Sequence, residues 1–365
     1  MWLLSRYVCR HFLGYFCAGL AACAALLLLV ELFDRIDTFI GRQVLWIDAA
    51  HYLALKLPWM VYQMVPAACL LASVLTFSTL NRHHETIAMR AHGVSPLRLT
   101  FPLFLLGAVA CLGLLVAQEY LLPYTNQGYN LIGRTRIQRI KTEPRLGVFK
   151  KGQIWYFSGQ RIWSAQLSVP LEQRLLGVTI YVIDAHGVIR QRYDAAEARH
   201  DAQGWTLLRG TRRTFDADGL FADPPEAFTE QQVAFPERVE EISALRKLPE
   251  EMSLSETLTY AHELRRQGVA DPTYLVEFHG KLAYAALCIL MVGFGMPLAL
   301  RMNRSGGTTL ALSLTLLCGF TYVILHHLIL ALGYNGRVPP VVAAWAANGL
   351  FGCGGGYLAR RLQSG

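Results

Sequence analysis

Six apolar stretches, each long enough to cross a bilayer, flank one long polar block, and that alternation restricts the chain to a membrane-spanning fold. The stretches run Val8–Phe33, His51–Leu80, Leu99–Leu122, Tyr274–Leu300, Thr308–Leu332 and Pro340–Leu358, three before the block and three after it. A hydrocarbon core of roughly 30 Å takes about 20 helical residues to cross, so each reads as a transmembrane helix. Bulk composition is ambiguous, with 53% hydrophobic and 16% charged residues. Its distribution is not, since nearly all the charge sits in the block and in short loops. The first stretch follows Arg6 and Arg10 as a signal peptide would, but its apolar core is too long and Glu31–Asp37 stands where a cleavage site belongs. It is expected to remain as a helix.

Loop charge sets an expected orientation. With the N-terminus inside, the inner segments carry Arg6, Arg10, Arg82, Arg90, Arg98, Arg301, Arg304, Arg360 and Arg361, opposed by Glu85. The short outer loops carry Arg35, Arg42 and Arg337 among Asp34, Asp37 and Asp48. Basic residues collect on the cytoplasmic side, so both termini are expected there and the block outside. The net charge of +8 then reflects topology and lipid contact, and calls for no nucleic acid. All eight cysteines (Cys9, Cys17, Cys23, Cys69, Cys111, Cys288, Cys318, Cys353) lie in or beside the spans. They lack metal-ligand or CxxC spacing and read as small packing residues. No metal is expected, and the outer block must fold without disulfides.

The chain therefore divides into residues 1–123 with three spans, an outer block at 124–271, and 272–365 with three more. Tyr124–Lys141 reads as a helical continuation of the third span. Beyond Pro144 the period changes to that of strands. Gln153–Ser158, Leu176–Asp184, Val188–Tyr193, Ala195–His200, Trp205–Arg209, Thr211–Phe215 and Phe228–Val233 are rich in β-branched and aromatic residues between turn signals. An all-β sandwich or jelly roll is expected. Ser253-Leu-Ser-Glu256 forms a capping box that opens an amphipathic helix to about Gln267. No catalytic constellation stands out: His186, His200, Asp184, Asp194 and Asp201 read as turn and strand-edge residues.

The inner loop between the second and third spans, Asn81–Pro96, predicts a short helix. Glu85–Ala91 are good helix formers, Ile87 and Met89 offer apolar contacts, Gly93 supplies a stop and Pro96 bars continuation. A basic loop touching anionic lipid is one reading. The other is a helix that docks in a partner and transmits force, and Glu85 favours it, because a carboxylate gains nothing from anionic lipid. No GxxxxGK[ST] phosphate loop occurs in the chain, so ATP hydrolysis would need a separate protein.

With three spans on either side of a β-rich block, and with the segments Met64–Ala72, Glu85–Ser95 and Leu332–Asn348, the chain resembles the LptF/LptG permeases of lipopolysaccharide export over essentially its whole length. The Pro339-Pro340 pair and the Ala344-Trp345…Asn348 run look more like the LptG branch. The resemblance implies a non-catalytic permease subunit with a periplasmic β-jellyroll. Its implied partners are a second, LptF-like permease, two copies of a cytoplasmic LptB-like ATPase that binds ATP and Mg, an LptC-like single-span protein beside the first span, and a periplasmic bridge. It also makes the segment 82–95 a coupling helix docked on the ATPase, with Glu85, Arg82, Ile87, Met89, Arg90 and Gly93 as its candidate contacts.

Lipopolysaccharide has several acyl chains and a phosphorylated head, and extraction exposes CH₂ groups at about 0.8 kcal/mol each. A cavity apolar in the membrane and basic at its outer rim would lower that cost, and a guanidinium fork suits phosphate. The candidate rim residues are Arg35, Arg42, Lys56, Arg134 and Arg136; snorkelling to the headgroup zone is the plain alternative. Relatives often carry a basic residue near the end of the first span, where this chain has Glu31; Arg35 could replace it, or Glu31 could pair with a cation. Glu31, Lys56, Glu119, Glu277 and Lys281 all lie near span ends. Glu277 and Lys281 are spaced for an i,i+4 pair, and His326-His327 for helix–helix hydrogen bonds. Gly352–Gly356 would permit close backbone approach. Two rival functions are a lipoprotein-releasing permease, which would have four spans, and a membrane-anchored β-domain scaffold or sensor, which would bring no ATPase.

Overall fold

The computed structural model describes residues 2–92, 96–133, 137, 146–150, 153–158, 160–169, 173–184, 188–201, 204–216, 224–233, 235, 249–266, 271–302 and 307–363. They fall into two compact units, Met1–Arg139 with Pro249–Gly365, and Ile140–Leu248. The helical connectors on either side of the strands thus belong to the helical unit.

The helical unit contains α1 (Trp2–Gly41), α2 (Trp46–Arg82), α3 (Glu85–Ala91), α4 (Pro96–Val116), a π-helical turn (Ala117–Leu121) and α5 (Leu122–Ile132). After a 3₁₀ turn (Pro249–Glu251) come α6 (Leu254–Arg266), α7 (Thr273–Met302), α8 (Gly307–Tyr334) and α9 (Pro340–Gln363). Five stretches are long and apolar enough to cross a membrane: α1, α2, the run Thr100–Ile132, α7 and α8. The sixth expected span is the continuous helix α9, 24 residues long, about 36 Å at 1.5 Å per residue. It misses that apolarity because Asn348 and its glycines replace aliphatic side chains. Those glycines instead bring it close to α7: a Cβ on Gly355 would stand 2.9 Å from the Phe294 ring. At 40 residues, α1 spans about 60 Å, far more than a bilayer core, and must tilt or project from it.

α2 and α7 form the buried axis of this unit. Cys69, Leu70, Val74 and Phe77 of α2 meet Cys288, Met291, Val292 and Met296 of α7 in the main core. No hydrophobic effect drives helices together in lipid, so close packing and hydrogen bonds must do so. Gly295 permits that approach, since a Cβ there would lie 2.5 Å from Ser73 Cβ. Ser73 Oγ donates to Val292 O at 2.9 Å, and Tyr284 OH donates to Gln63 O. Asn348 of α9 joins α8 to α7: Tyr322 OH donates to Asn348 Oδ1 at 2.7 Å and Asn348 Nδ2 to Ala283 O at 2.8 Å. The helix–helix bonding expected of the histidine pair is thus made by Tyr322 and Asn348. His327 turns back to Val323 O of its own helix, and buried His326 stacks on Tyr322, its Nδ1 meeting no hydrogen-bond partner among the described residues.

The second unit is a seven-stranded antiparallel sheet in sequence order. Its strands are β1 (Leu146–Lys150), β2 (Gln153–Ser158), β3 (Arg161–Val169), β4 (Arg174–Ile183), β5 (Ile189–Asp201), β6 (Gly204–Thr214) and β7 (Glu226–Val233). The inserted all-β domain is as expected, but each described strand pairs with its neighbours in sequence. Its described strands follow one another as a meander that closes over on itself. The expected strands on either side of Asp194 and of Gly210 are continuous β5 and β6, because the pairing runs through both positions.

The sheet folds over itself. Trp163 lies across from Ile180, Tyr193 and Arg212 in the ladder, yet its ring centroid is 4.8 Å from that of Trp205. In a flat sheet β3 and β6 would stand about 14 Å apart, at about 4.8 Å per strand. The fold line runs through Gln166, Gly177, Ala196 and Arg209, where the regular pairs are interrupted and Gly177 and Arg209 take φ of +59° and +52°. Across it the buried face changes parity, from Val178 and Ile180 to Leu175 on β4, and from Tyr193 and Ala195 to Ala198 on β5. The hollow is filled by fully buried Trp163 and Trp205, with Phe235 edge-on to Trp163.

Two tests follow from this geometry. A Cβ on Gly210 would lie 2.3 Å from Asp194 O and 2.5 Å from the Phe228 ring. Gly210→Val should therefore cost the sheet unit about 1–3 kcal/mol or more, read as faster proteolysis within residues 140–248 of the full chain. Buried Glu197 is held by Arg199 at 2.7 Å and Arg174 at 3.7 Å, and the Arg199 hydrogen bond leads in lowering its carboxyl pKa. The native carboxylate therefore resists protonation more than the unfolded one. Its stabilisation is complete above the unfolded value of about 4.3 and is lost as pH falls through the lowered native value. Glu197→Gln should remove that part of the acid dependence, measured by hydrogen exchange in β5 between neutral and acidic pH.

Candidate functional site

Two groups of expected site residues come together in the helical unit. The first lies where α1 approaches the start of α2. One turn apart on α1, Glu31 and Arg35 form a bond of 2.6 Å from Arg35 Nε to Glu31 Oε1. Lys56 Nζ of α2 reaches Glu31 Oε2 at 2.6 Å, and Tyr52 OH donates to Glu31 Oε1 at 2.9 Å. Glu31 is thus the cation partner of this unit's own Arg35 and Lys56.

Aromatic faces enclose the cations. The Arg35 guanidinium lies 4.9 Å from the Tyr52 ring centroid, and Lys56 Nζ lies within 6 Å of the Tyr52, Trp59 and Tyr129 rings. Such contacts strengthen as water is excluded. Tyr52 is fully buried, edge-on to Tyr129 of α5 and to Phe39 of α1. The side chain of Arg35 keeps 32% of its surface open, against 12% for Lys56, so an arriving anion meets Arg35 first. With two cations on one carboxylate the cluster has a net positive charge. Arg42 is exposed in the turn after α1, while Arg134 and Arg136 lie outside the described residues.

The second group is α3. The expected helix forms, Glu85–Ala91. α2 ends before it in a tight turn, with His83 N bonded to Thr79 O, His84 N to Asn81 O, and His84 in the left-handed region at φ +58°. Three contacts fix α3. Buried Thr86 donates from Oγ1 to Asn81 Oδ1 at 2.8 Å, Met89 packs on the main core, and Tyr7 OH of α1 donates to Glu85 Oε1 at 3.1 Å. Arg82 is exposed. Ile87 and Arg90 fall on α3, and Gly93 lies outside the described residues.

A third network had no expected role. Lys281 of α7 is buried, and its Nζ donates to Pro249 O at 2.8 Å and Met252 O at 2.7 Å. The expected i,i+4 pair with Glu277 is replaced, because the carbonyls of the 3₁₀ turn take the ammonium while Glu277 accepts from Tyr334 OH at 2.7 Å. From α5, Asn126 Nδ2 donates to Glu250 O at 2.8 Å and Asn130 Nδ2 to Glu251 Oε1 at 2.6 Å. Glu119 of the π turn accepts from Ser255 N and Oγ. Both arms of the capping box form between Ser253 and Glu256. The Asn and Gln run at 126–130 was the available signal, since amides on a helix continuing a span need polar partners.

No group of three or more His, Cys, Asp or Glu side chains placed to hold a metal occurs among the described residues. Turn and strand-edge pairing accounts for Asp184 and Asp194, through Arg190 and Arg192. The arrangement sets two cations around one carboxylate at the α1–α2 cluster and ties α3 to α1, α2 and the main core.

Comparison with known proteins gives one whole-chain match: the family model described as lipopolysaccharide export system permease LptF/LptG matches residues 6–361. No curated protein matches the chain.

The coupling within the charge cluster is measurable. Removing one partner of a buried pair strands the other, so Glu31→Gln should lower the thermal midpoint of the purified chain. Combining it with Lys56→Met should recover part of that loss. A double-mutant cycle should give a coupling of about 1–3 kcal/mol, and additive effects would place the two groups out of contact.

Proposed function

The chain belongs to the LptF/LptG family of lipopolysaccharide export permeases, and we propose that it is one of two membrane subunits of an ATP-driven exporter that moves lipopolysaccharide out of the inner membrane. The family match over nearly the whole chain carries this reading. In it, both termini and α3 face the cytoplasm, and residues 124–271 emerge in the periplasm between the span groups 1–123 and 272–365. The chain itself is non-catalytic. A second permease completes the cavity, two copies of a cytoplasmic ATPase bind ATP and Mg, and a single-span protein with a periplasmic bridge receives the lipid. Of the two branches we assign it to LptG, on the Pro339-Pro340 pair and the Ala344-Trp345…Asn348 run.

Support for coupling comes from how α3 is held. A docked helix transmits displacement only if it is tied to the spans, and Thr86, Met89 and Glu85 tie it to α2, the core and α1. Glu85 carries the one contact that is accessible, and an arginine of the ATPase can compete for it with Tyr7.

Support for lipid loading comes from the α1–α2 cluster. A phosphate approaching Arg35 replaces Glu31 as its partner, so binding is an exchange of anions with little net desolvation. On the membrane-centre side of the cluster α1 exposes Leu26, Leu29 and Val30, and α8 exposes Phe320, Ile324 and Leu328. These apolar faces suit acyl chains or the second permease. In the β unit, Trp163, Trp205 and Phe235 fill the hollow of the sheet. A lipid passing through that hollow must displace them.

Mild-detergent purification should bring down an ATPase and a second six-span permease. Glu85→Lys should abolish ATP-driven lipid release from proteoliposomes or dissociate the ATPase, while Tyr7→Phe should leave release near the parent level. Release unchanged by the charge reversal would exclude Glu85 from coupling.

A further inference from the structure

A cavity of about 220 Å³ opens between α4, α7 and α9, far from the α1–α2 cluster in sequence and built from different helices. Its walls are aromatic and aliphatic, chiefly Phe104 of α4, Ile289 and Phe294 of α7, and Phe351 of α9. The one polar side chain in its lining is Thr100, and its hydroxyl is turned to Met296 Sδ at 2.9 Å. The cavity exists because α9 presents glycines to it. A Cβ on Gly352 would already reach Leu290 at 3.4 Å, and one on Gly355 would reach the Phe294 ring at 2.9 Å. Gly356 also lines it, and a Cβ there would meet nothing within 4 Å. Gly356 therefore borders open space at the exposed edge of the cavity.

The cavity lies at one end of the bundle. Thr100 is in the second turn of α4, Met296 in the last turns of α7, and Gly356 two turns before the end of α9. That end is basic. Arg360 and Arg361 occupy the last turn of α9, and both are exposed, as is Arg98 at the start of α4. Gly352, Gly356 and Arg360 are spaced i, i+4, i+8 and share one helix face, so Arg360 follows Gly356 along that face by about 6 Å.

We infer that this cavity binds an acyl chain of an anionic phospholipid from the leaflet at the basic end of the bundle, with Arg360 and Arg361 at its phosphate. An apolar slot at membrane depth needs an apolar occupant, because water there would find no hydrogen-bond partners. The arginines one turn farther along select an anionic headgroup over a zwitterionic one, as basic residues beside a bilayer do. The site uses none of the residues assigned to lipopolysaccharide or to the ATPase, and it does not depend on the transport reading.

The test uses the full chain in phosphatidylcholine nanodiscs containing a trace of phosphatidylglycerol with a diazirine on its acyl chain. Photolysis should label peptides containing Phe294 and Phe351. The same label on phosphatidylcholine should react about fivefold less, and Arg360→Gln should lower the phosphatidylglycerol signal by a similar factor. Gly356→Leu fills the open edge and should reduce labelling at those peptides to background while the thermal midpoint holds. If Gly356→Leu unfolds the chain, Arg360→Gln, on the exposed surface, still decides the headgroup role. Labelling spread evenly over the lipid-facing helices, equal for both headgroups, or unchanged by either variant would overturn the proposal. So would a photoreactive residue at Phe351 that captures a protein chain in place of lipid.

Discussion

A backbone amide or carbonyl left unpaired in hydrocarbon costs several kcal/mol, and that constraint orders the whole helical unit. It requires continuous helices at membrane depth, and it demands side-chain partners wherever the chain stops being helical near the membrane. The return at Pro249–Met252 is the clearest instance. There the chain runs through a 3₁₀ turn against α5 and α7, and its carbonyls are taken by Lys281, Asn126 and Gln127. A buried ammonium is tolerable only with such partners, so the turn and Lys281 require each other. α6 and α7 then leave this fixed point in defined directions.

The same requirement for compensation explains the α1–α2 cluster. An acidic residue at the end of the first span looks misplaced for a protein that handles an anionic lipid. Held by Arg35, Lys56 and Tyr52, Glu31 keeps the two cations oriented against the faces of an aromatic pocket. In the proposed reading, phosphate would bind there by exchange with Glu31, which favours release as well as capture.

Much of the architecture could be read from the residues. Apolar length placed the spans, the capping box at Ser253 and Glu256 placed α6, and the run from Glu85 to Ala91 placed α3. β1 and β3 escaped notice: Leu146–Lys150 is short, and Arg161–Val169 mixes charged and polar residues into its alternation, so neither shows the apolar signature of a strand. β5 and β6 were each split at a residue that normally marks a turn, Asp194 and Gly210. In the sheet Asp194 is an ion-pair partner of Arg192, and Gly210 gives room to the Phe228 ring.

The sequence by itself determined which segments are apolar enough to meet lipid, that a β-rich insert lies between them, and that its stability cannot rest on disulfides. These follow from hydrophobic length and local periodicity, which are one-dimensional properties. The partner of each charge was decided only in three dimensions. Glu31 lies 25 residues from Lys56 in the sequence, and Lys281 pairs with carbonyls some thirty residues before it. Spacing along one helix suggested Glu277 for Lys281, but the ammonium went to the carbonyls of Pro249 and Met252, and Glu277 accepts from Tyr334. The fold line of the sheet is likewise tertiary. It arises where two left-handed residues, Gly177 and Arg209, on strands separated by β5 fall on one transverse row, and a row across strands has no signature along the chain.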